Sequence, residues 1–149
     1  MVLAELFSDL VRYETRLYNG LGHRLRDAHG ISIGQYELLR LAGERGDLRV
    51  VDIAREFAIA VGAASKGVDR MEEAGWLRRR PNPSSRRSSL ISLTDAGDQV
   101  LEAASRTFVD GLRDYLASRL TPSAIGDLAA TLAMLRSELE AGEVGLPTG

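Results

Sequence analysis

The sequence has no cysteine and only two histidines, His23 and His29. The absence of cysteine excludes disulfides, thiolate zinc sites and thiol-based redox sensing. The two histidines do not have the spacing of a metal-binding motif, so we expect neither a metal nor a cofactor. A glycine loop for phosphate and a serine in a nucleophile elbow are also missing. These absences predict that the protein is not an enzyme.

Long apolar runs are missing as well. Charged side chains stand near the start of the chain at Glu5, Asp9 and Arg12, which argues against a secretory segment there. No uncharged apolar stretch approaches the roughly 18 residues of a membrane span. We therefore expect a cytoplasmic protein that does not contact a membrane.

The net charge of −2 conceals an uneven distribution along the chain. Residues 61–92 carry seven lysines and arginines against three acidic residues, a local charge of +4, so the rest of the chain sums to −6. An acidic body with one basic segment is expected when a single face meets the phosphates of a nucleic acid and the remainder keeps the protein in solution.

Helical periodicity dominates the N-terminal part of the chain. Leucines between residues 3 and 25 recur at steps of three or four or their multiples, which predicts one long amphipathic helix that stops at Gly30. Ser32, followed three residues later by Gln35, is typical of a capping box and begins a second helix. Such a long first helix needs a partner for its apolar side.

Two short helices and a hairpin follow. Residues 51–57 and 61–74 read as short helices with too few residues between them for anything but a tight turn. Residues 76–80 and 88–93 favour two strands joined by a proline-bounded turn. The order helix, turn, helix, hairpin indicates a mainly α fold with a small β-wing, a winged helix-turn-helix.

Two more long helices are expected after the hairpin, with Thr94 and the pair Thr121 and Pro122 as their N-terminal signals. A winged helix of roughly 65 residues cannot bury three long apolar stripes, so the terminal helices are expected to bury one another in a homodimer. The alternative is a plain intramolecular core. The expected organisation is a dimerisation helix over 1–30, a winged helix-turn-helix over 31–97, dimerisation helices over 98–141 and a flexible tail over 142–149.

The second short helix is the candidate recognition helix for a DNA major groove. A helical wheel places Val61, Ala64, Val68 and Met71 together as core contacts. The residues that turn toward solvent, and are predicted to contact DNA, are Gly62, Ala63, Ser65, Lys66 and Arg70. An ordinary solvated helix face is the alternative for this surface.

The hairpin concentrates five arginines on one short ribbon. Guanidinium groups that lie so close together repel one another unless an anion is present, and a DNA phosphate or minor groove supplies one. The wing residues predicted to contact DNA are Arg78, Arg80, Ser84, Ser85, Arg86 and Arg87. A solvated charged loop is the alternative.

Three segments of the sequence resemble one known family. The family is the multiple antibiotic resistance regulator (MarR) family. The start of its second helix is similar to "GISIGQYELLRL", and the end of its recognition helix with the first wing strand is similar to "VDRMEEAGWLRRR". Its second wing strand and the helix that follows are similar to "RRSSLISLTDAG". The resemblance covers residues 30–97. It implies an obligate homodimer that binds pseudo-palindromic operators on double-stranded DNA and is often released by a small, frequently aromatic or anionic effector.

The sequence departs from the family pattern at the wing and at the recognition helix. Ser85 stands where the family's wing motif has an aspartate, although Arg87 stands at its arginine, so Asn82 or Ser84 is expected to supply local hydrogen bonds. Ala60 replaces the polar cap before the recognition helix. Direct base reading is then expected to be weaker, and readout of DNA shape through the wing correspondingly more important.

Family pockets form between the dimerisation helices and the winged helix. The aromatic and basic side chains on or near that region are candidates for effector binding: Tyr13, Arg16, Tyr18, His23 and Tyr36. Each of them also reads as an ordinary amphipathic interface residue. The sequence thus predicts a homodimeric, effector-responsive transcriptional repressor, and the alternative is a winged-helix module that binds an acidic protein partner.

Overall fold

The computed structural model describes residues 1–148. Six α-helices, a short 3-10 turn and a two-stranded antiparallel sheet make up this part of the chain. The elements are α1 (Val2–His29), α2 (Ile33–Arg45), α3 (Val50–Phe57), α4 (Val61–Glu73), β1 (Leu77–Asn82), β2 (Ser85–Leu93), α5 (Asp95–Tyr115) and α6 (Pro122–Ala141), with the turn at Ala117–Arg119. The predicted mainly α fold with a β-wing is confirmed.

Local hydrogen bonds define the helix ends that the sequence predicted. Gly30 ends α1 in the left-handed conformation at φ 68°, which glycine adopts without steric cost. The Ser32 hydroxyl accepts from the Gln35 amide at 3.1 Å, and the Gln35 side chain accepts from the Ser32 amide at 3.0 Å, which completes the capping box. Thr94 caps α5, and Thr121 caps α6 directly before Pro122.

Two apolar clusters meet at Trp76. The first lies inside the winged helix and joins α2, α3, α4 and the sheet through buried residues such as Ile53, Val68 and Ile91. The second joins α1, α2 and α5 through residues such as Leu25. Because Trp76 packs against both clusters, the winged helix is joined to the long α1–α5 pair through continuous apolar contacts.

The base of the wing is bonded to the segment before α3. Leu48 and Ile91 exchange backbone hydrogen bonds of 2.9 and 2.7 Å, which add a one-residue bridge to the β1–β2 ladder. Both side chains are buried in the first cluster. The wing therefore projects from a fixed base beside the helix-turn-helix.

Gly97, in the first turn of α5, is a position where a larger residue is expected to be strongly destabilising. A Cβ atom there would lie 2.0 Å from the backbone oxygen of Trp76, far inside van der Waals contact. Gly97→Ala is therefore expected to lower the free energy of unfolding by about 3 kcal/mol or more, as measured by urea denaturation. Gly34→Ala in α2 is the matched control, because its nearest neighbour would be 3.9 Å away. The control should be neutral or stabilising by up to about 1 kcal/mol, and equal transition midpoints for the two variants would contradict the close approach.

Two apolar faces remain uncovered in the single subunit. The first half of α1 is exposed, with Leu3 at 78% and Phe7 at 67%. Helix α6 has no buried residue, and Leu132, Leu135 and Leu139 remain 44–55% exposed. After α6 the chain turns back, so that Glu143 lies 3.7 Å from Arg55 of α3. None of the helices in residues 1–148 has the length and apolar character required to cross a membrane.

Candidate nucleic-acid interface

Helices α3 and α4 form a helix-turn-helix with a turn of three residues, 58–60. Arg49 precedes α3, and its amide donates to the Asp52 carboxylate at 2.9 Å while its guanidinium pairs with the same group at 2.7 Å. The side-chain hydrogen bond from Arg49 lowers the pKa of Asp52, so this carboxylate is ionised. It accepts the hydrogen bond of the Arg49 backbone amide at the start of α3. Ala58 ends α3 at φ 50°, and the Ile59 amide donates to the Ala54 carbonyl at 3.0 Å.

The buried side of α4 differs from the prediction at one residue. Ala64, Val68 and Met71 are buried in the first cluster as predicted. Val61 was predicted to join them but is 52% exposed, so that prediction is wrong. Val61 is the first residue of α4, and the helix reaches the core only one turn later.

The outer face of α4 has a small and uncharged beginning. Gly62 and Ala63 are exposed, Lys66 and Arg70 are exposed further along, and Ser65 is partly buried. Ala60 is the N-cap residue and makes no side-chain cap bond. The first backbone amides of α4 are therefore left without an intrahelical or side-chain capping partner, and the small side chains of Gly62 and Ala63 leave room for a phosphate or a base.

Two of the five wing arginines are paired within the chain. The Arg79 guanidinium lies 2.8 Å from the Asp69 carboxylate of α4, and its amide donates to Glu72 at 3.1 Å. Arg80 forms an ion pair with Asp47, in the turn before α3. Exposed pairs of this kind contribute little to stability, but the Arg79 pair links the wing to the recognition helix and the Arg80 pair links it to the turn before α3. Sequence reasoning missed this role of Asp47 and Asp69, because nothing local links them to arginines so distant along the chain.

The remaining basic residues keep their charge available to an external anion. Within residues 1–148, Arg86, Arg87, Lys66 and Arg70 take part in no ion pair, whereas Arg79 and Arg80 do. Arg78 donates through Nε to the Ser92 hydroxyl at 3.3 Å. Of the predicted wing contacts, Arg86 and Arg87 are thus the most accessible cations, and Arg80 is already engaged.

The wing tip is organised by short-range hydrogen bonds. The Asn82 side chain donates to the Ser88 hydroxyl at 2.8 Å and accepts from the Ser84 amide at 3.0 Å. The Ser85 hydroxyl accepts from the Arg87 amide at 3.3 Å. The expectation that Asn82 bonds locally is confirmed, and Ser85 itself takes part in positioning Arg87.

Comparison with known proteins agrees with this geometry. A sequence model of the MarR family matches residues 31–89. The DNA complex of Sco3205, a MarR family transcriptional regulator from Streptomyces coelicolor, superposes with a TM-score of 0.85 at 29% identity, over 97% of this chain and 91% of that one. Over its winged helix-turn-helix, the chain is therefore similar to the MarR family. The multiple antibiotic resistance protein MarR of Escherichia coli is 26% identical over 98 residues, 66% of this chain and 68% of that protein. The regulator PecS of Dickeya dadantii is 32% identical over 89 residues, 58% of this chain and 54% of that protein.

The similarity to the MarR family supports three of the sequence-based predictions. The chain is a winged helix-turn-helix protein of the DNA-binding class, and it is a transcriptional regulator. The similarity to non-enzymatic regulators also supports the prediction that the protein is not an enzyme. No cluster of three or more potential metal ligands occurs in residues 1–148.

A cavity of about 600 Å³ lies between the long helices and the helix-turn-helix. Leu17 and Phe108 line it from α1 and α5, and Phe57 and Ala63 line it from α3 and α4. This is the size and the mostly apolar lining of a small-molecule site. Sequence reasoning missed two carboxylates in the lining, Glu14 and Glu37, because nothing local in the sequence shows which helix faces converge.

The five predicted effector residues are not brought together by the fold. Tyr18 lines the cavity, and it also borders a smaller recess with His23. Tyr36 is buried, stacks on Phe108 and donates to the Ser105 hydroxyl at 3.2 Å. The Tyr13 hydroxyl donates to the backbone oxygen of Tyr115 at 3.3 Å, and Arg16 is exposed on α1.

Proposed function

We propose that this protein is a transcriptional repressor that binds a pseudo-palindromic DNA operator as a homodimer. One observation carries the proposal: the open, small-residue start of α4 lies next to a wing whose Arg86 and Arg87 have no ion-pair partner in residues 1–148. The start of α4 can present its backbone amides and side chains to a DNA major groove. The wing arginines can then reach the neighbouring DNA phosphates or the minor groove.

The proposed division of roles follows from exposure and charge. Gly62, Ala63 and Ser65 lie at the end of α4 that would enter the major groove, where the Ala63 methyl can contact a thymine methyl. Lys66 and Arg70 supply charge along the same face. In the wing, Arg78, Arg86 and Arg87 would contact DNA, together with Ser84 and Ser85 at the tip. Arg80 would hold the wing in position through its ion pair with Asp47.

The homodimer is supported by the two uncovered apolar faces. Soluble monomers rarely leave large contiguous apolar surfaces in water, and both α1 and α6 carry rows of exposed apolar side chains. A second copy of the chain offers the same two faces and can cover both in an isologous contact. Two recognition helices would then lie about 34 Å apart, one turn of B-DNA.

The effector-responsive part of the proposal is supported by the position of the cavity. Its walls come from α1, α2 and α5 on one side and from α3 and α4 on the other. A ligand that binds more tightly to one arrangement of these two groups of helices shifts the population toward it and thereby changes operator affinity. Because this function requires access to DNA, we also propose a cytoplasmic location.

Selection from a pool of random double-stranded DNA tests the operator proposal. The full chain is expected to enrich inverted repeats whose half-sites lie about 10 base pairs apart, centre to centre. Enriched fragments should bind at least about a thousandfold more tightly than random DNA at physiological salt. If enrichment fails and the protein binds polyglutamate as well as it binds DNA, the operator proposal is wrong and the acidic-partner alternative is favoured.

A further inference from the structure

The charged groups that line the cavity are all acidic. Glu14 of α1 and Glu37 of α2 face it, and no lysine, arginine or histidine in residues 1–148 lines it. The other lining residues are apolar, aromatic or glycine. The cavity therefore has a hydrophobic interior, and its charged groups are all negative.

The Glu37 carboxylate has little compensation from the protein. The structure gives it no ion pair or hydrogen bond within residues 1–148. Its nearest basic neighbour, Arg40, is directed to Glu44 at 3.0 Å. Burial raises the pKa of Glu37, and the charge of Arg40 only partly opposes this effect. A cation in the cavity would remove the cost of keeping this carboxylate ionised.

Glu14 is also free to meet a ligand. Its contact within the described chain is a long 3.4 Å hydrogen bond from the hydroxyl of the adjacent Thr15. The aromatic rings of Tyr18, Phe57 and Phe108 line the same cavity. Aromatic faces attract cations, and more strongly so when water is excluded. The lining thus suits a molecule that has both a positive charge and an apolar body.

We propose that this cavity binds a lipophilic organic cation. The family resemblance implies an effector that is often aromatic or anionic, and this site does not suit the anionic kind. Glu14 and Glu37 would repel an anion in a space that offers no opposing charge. The regulatory consequence rests on the proposed function: Ala63, Ala64 and Gly67 of the recognition helix line the same cavity, so a bound cation would contact the element that meets DNA.

A pair of ions with the same shape and opposite charge tests the proposal. Tetraphenylphosphonium and tetraphenylborate are titrated separately into the full-length, DNA-free protein at pH 7, and their affinities are measured by calorimetry. The readout is the ratio of the two affinities, which cancels the shared contribution of the phenyl groups. Wild-type protein is expected to bind the cation.

The decisive comparison uses charge-neutralised variants. In the double variant Glu14→Gln and Glu37→Gln, the cation-to-anion affinity ratio should fall at least about tenfold, which corresponds to one charged contact of about 1.4 kcal/mol. Glu102→Gln is the matched control, because Glu102 is exposed on α5 and does not line the cavity. Since burial raises the pKa of Glu37, replacing it with a neutral residue is not expected to impair folding at pH 7.

Four outcomes separate this inference from the proposed function. A ratio that is the same in the double variant and in wild type overturns the cation site, and so does a failure of the cation to bind, as expected if a second copy fills the cavity. If the ligand-free protein does not enrich any DNA sequence, the operator proposal is wrong. The titration with the two ions still decides whether the cavity prefers a cation. Release of the selected DNA by the cation from wild type, but not from the double variant, supports both.

Discussion

A chain that ends at Leu120 is expected to lose self-association and operator binding together. The truncation removes α6, whose apolar side chains are exposed in the single subunit and would pair with the exposed face of α1 in a second copy. A lone winged helix contacts only one half-site, so affinity for an inverted repeat should fall by about a thousandfold or more, as expected when binding is no longer bivalent. Sedimentation velocity and electrophoretic mobility shift measure the two effects. A truncated monomer that retained full affinity for the repeat would disprove the dimer.

Point variants of full-length protein separate a disrupted interface from a damaged fold. Leu132→Glu with Leu135→Glu places two charges on the apolar side of α6, and it should reproduce the truncated phenotype. Ala130→Glu with Ser137→Glu is the matched control, because at 100° per residue these positions lie on the opposite side of the helix. The control is expected to remain dimeric. Helical content measured by circular dichroism should be the same for both double variants.

Removal of the two unpaired wing cations should weaken binding to all DNA sequences. Arg86→Ala with Arg87→Ala is expected to lower affinity about tenfold or more per subunit at physiological salt. It should also reduce the steepness of the salt dependence by about 0.9 for each phosphate that the variant no longer neutralises. The ratio of operator to random-DNA affinity should change much less, because phosphate contacts carry little sequence information. The measurement is a salt titration of binding by fluorescence anisotropy.

The matched control for the wing removes the same charge elsewhere. Arg106→Ala with Arg113→Ala deletes two exposed arginines of α5, which pair along their own helix with Glu102 and Asp110. Affinity and salt slope should both stay close to those of the wild type. An unchanged slope in the wing variant would mean that Arg86 and Arg87 do not reach phosphates.

Features that depend on neighbouring residues were predictable from the sequence. The capping box at Ser32 and Gln35, the threonine caps before α5 and α6, and the glycine end of α1 each involve groups within about one helical turn. Their hydrogen bonds form wherever the local backbone is helical, so spacing alone identifies them. The buried positions of α4 followed from periodicity, except at its first residue, where the helix has not yet reached the core.

Features that depend on distant segments were not predictable in the same way. The pairing of Arg80 with Asp47 and of Arg79 with Asp69 requires the wing to fold back against the helix-turn-helix. Tyr36 was predicted to bind an effector because it is aromatic and lies near the junction of the helices. In the structure its side chain is buried against Phe108. Which sides of five helices converge on the cavity is a property of the assembled fold, so the acidic pair in its wall became visible only there.

Trp76 is the sole tryptophan of the chain, and it packs against both apolar clusters. Its indole therefore sits at the joint between the α1–α5 pair and the winged helix. Ultraviolet emission from wild-type protein reports on this joint alone, without a dye or an engineered label. A rearrangement that alters the packing between the long helices and the winged helix should therefore change the emission of Trp76, whereas motion of the whole subunit as a rigid body should leave it unchanged.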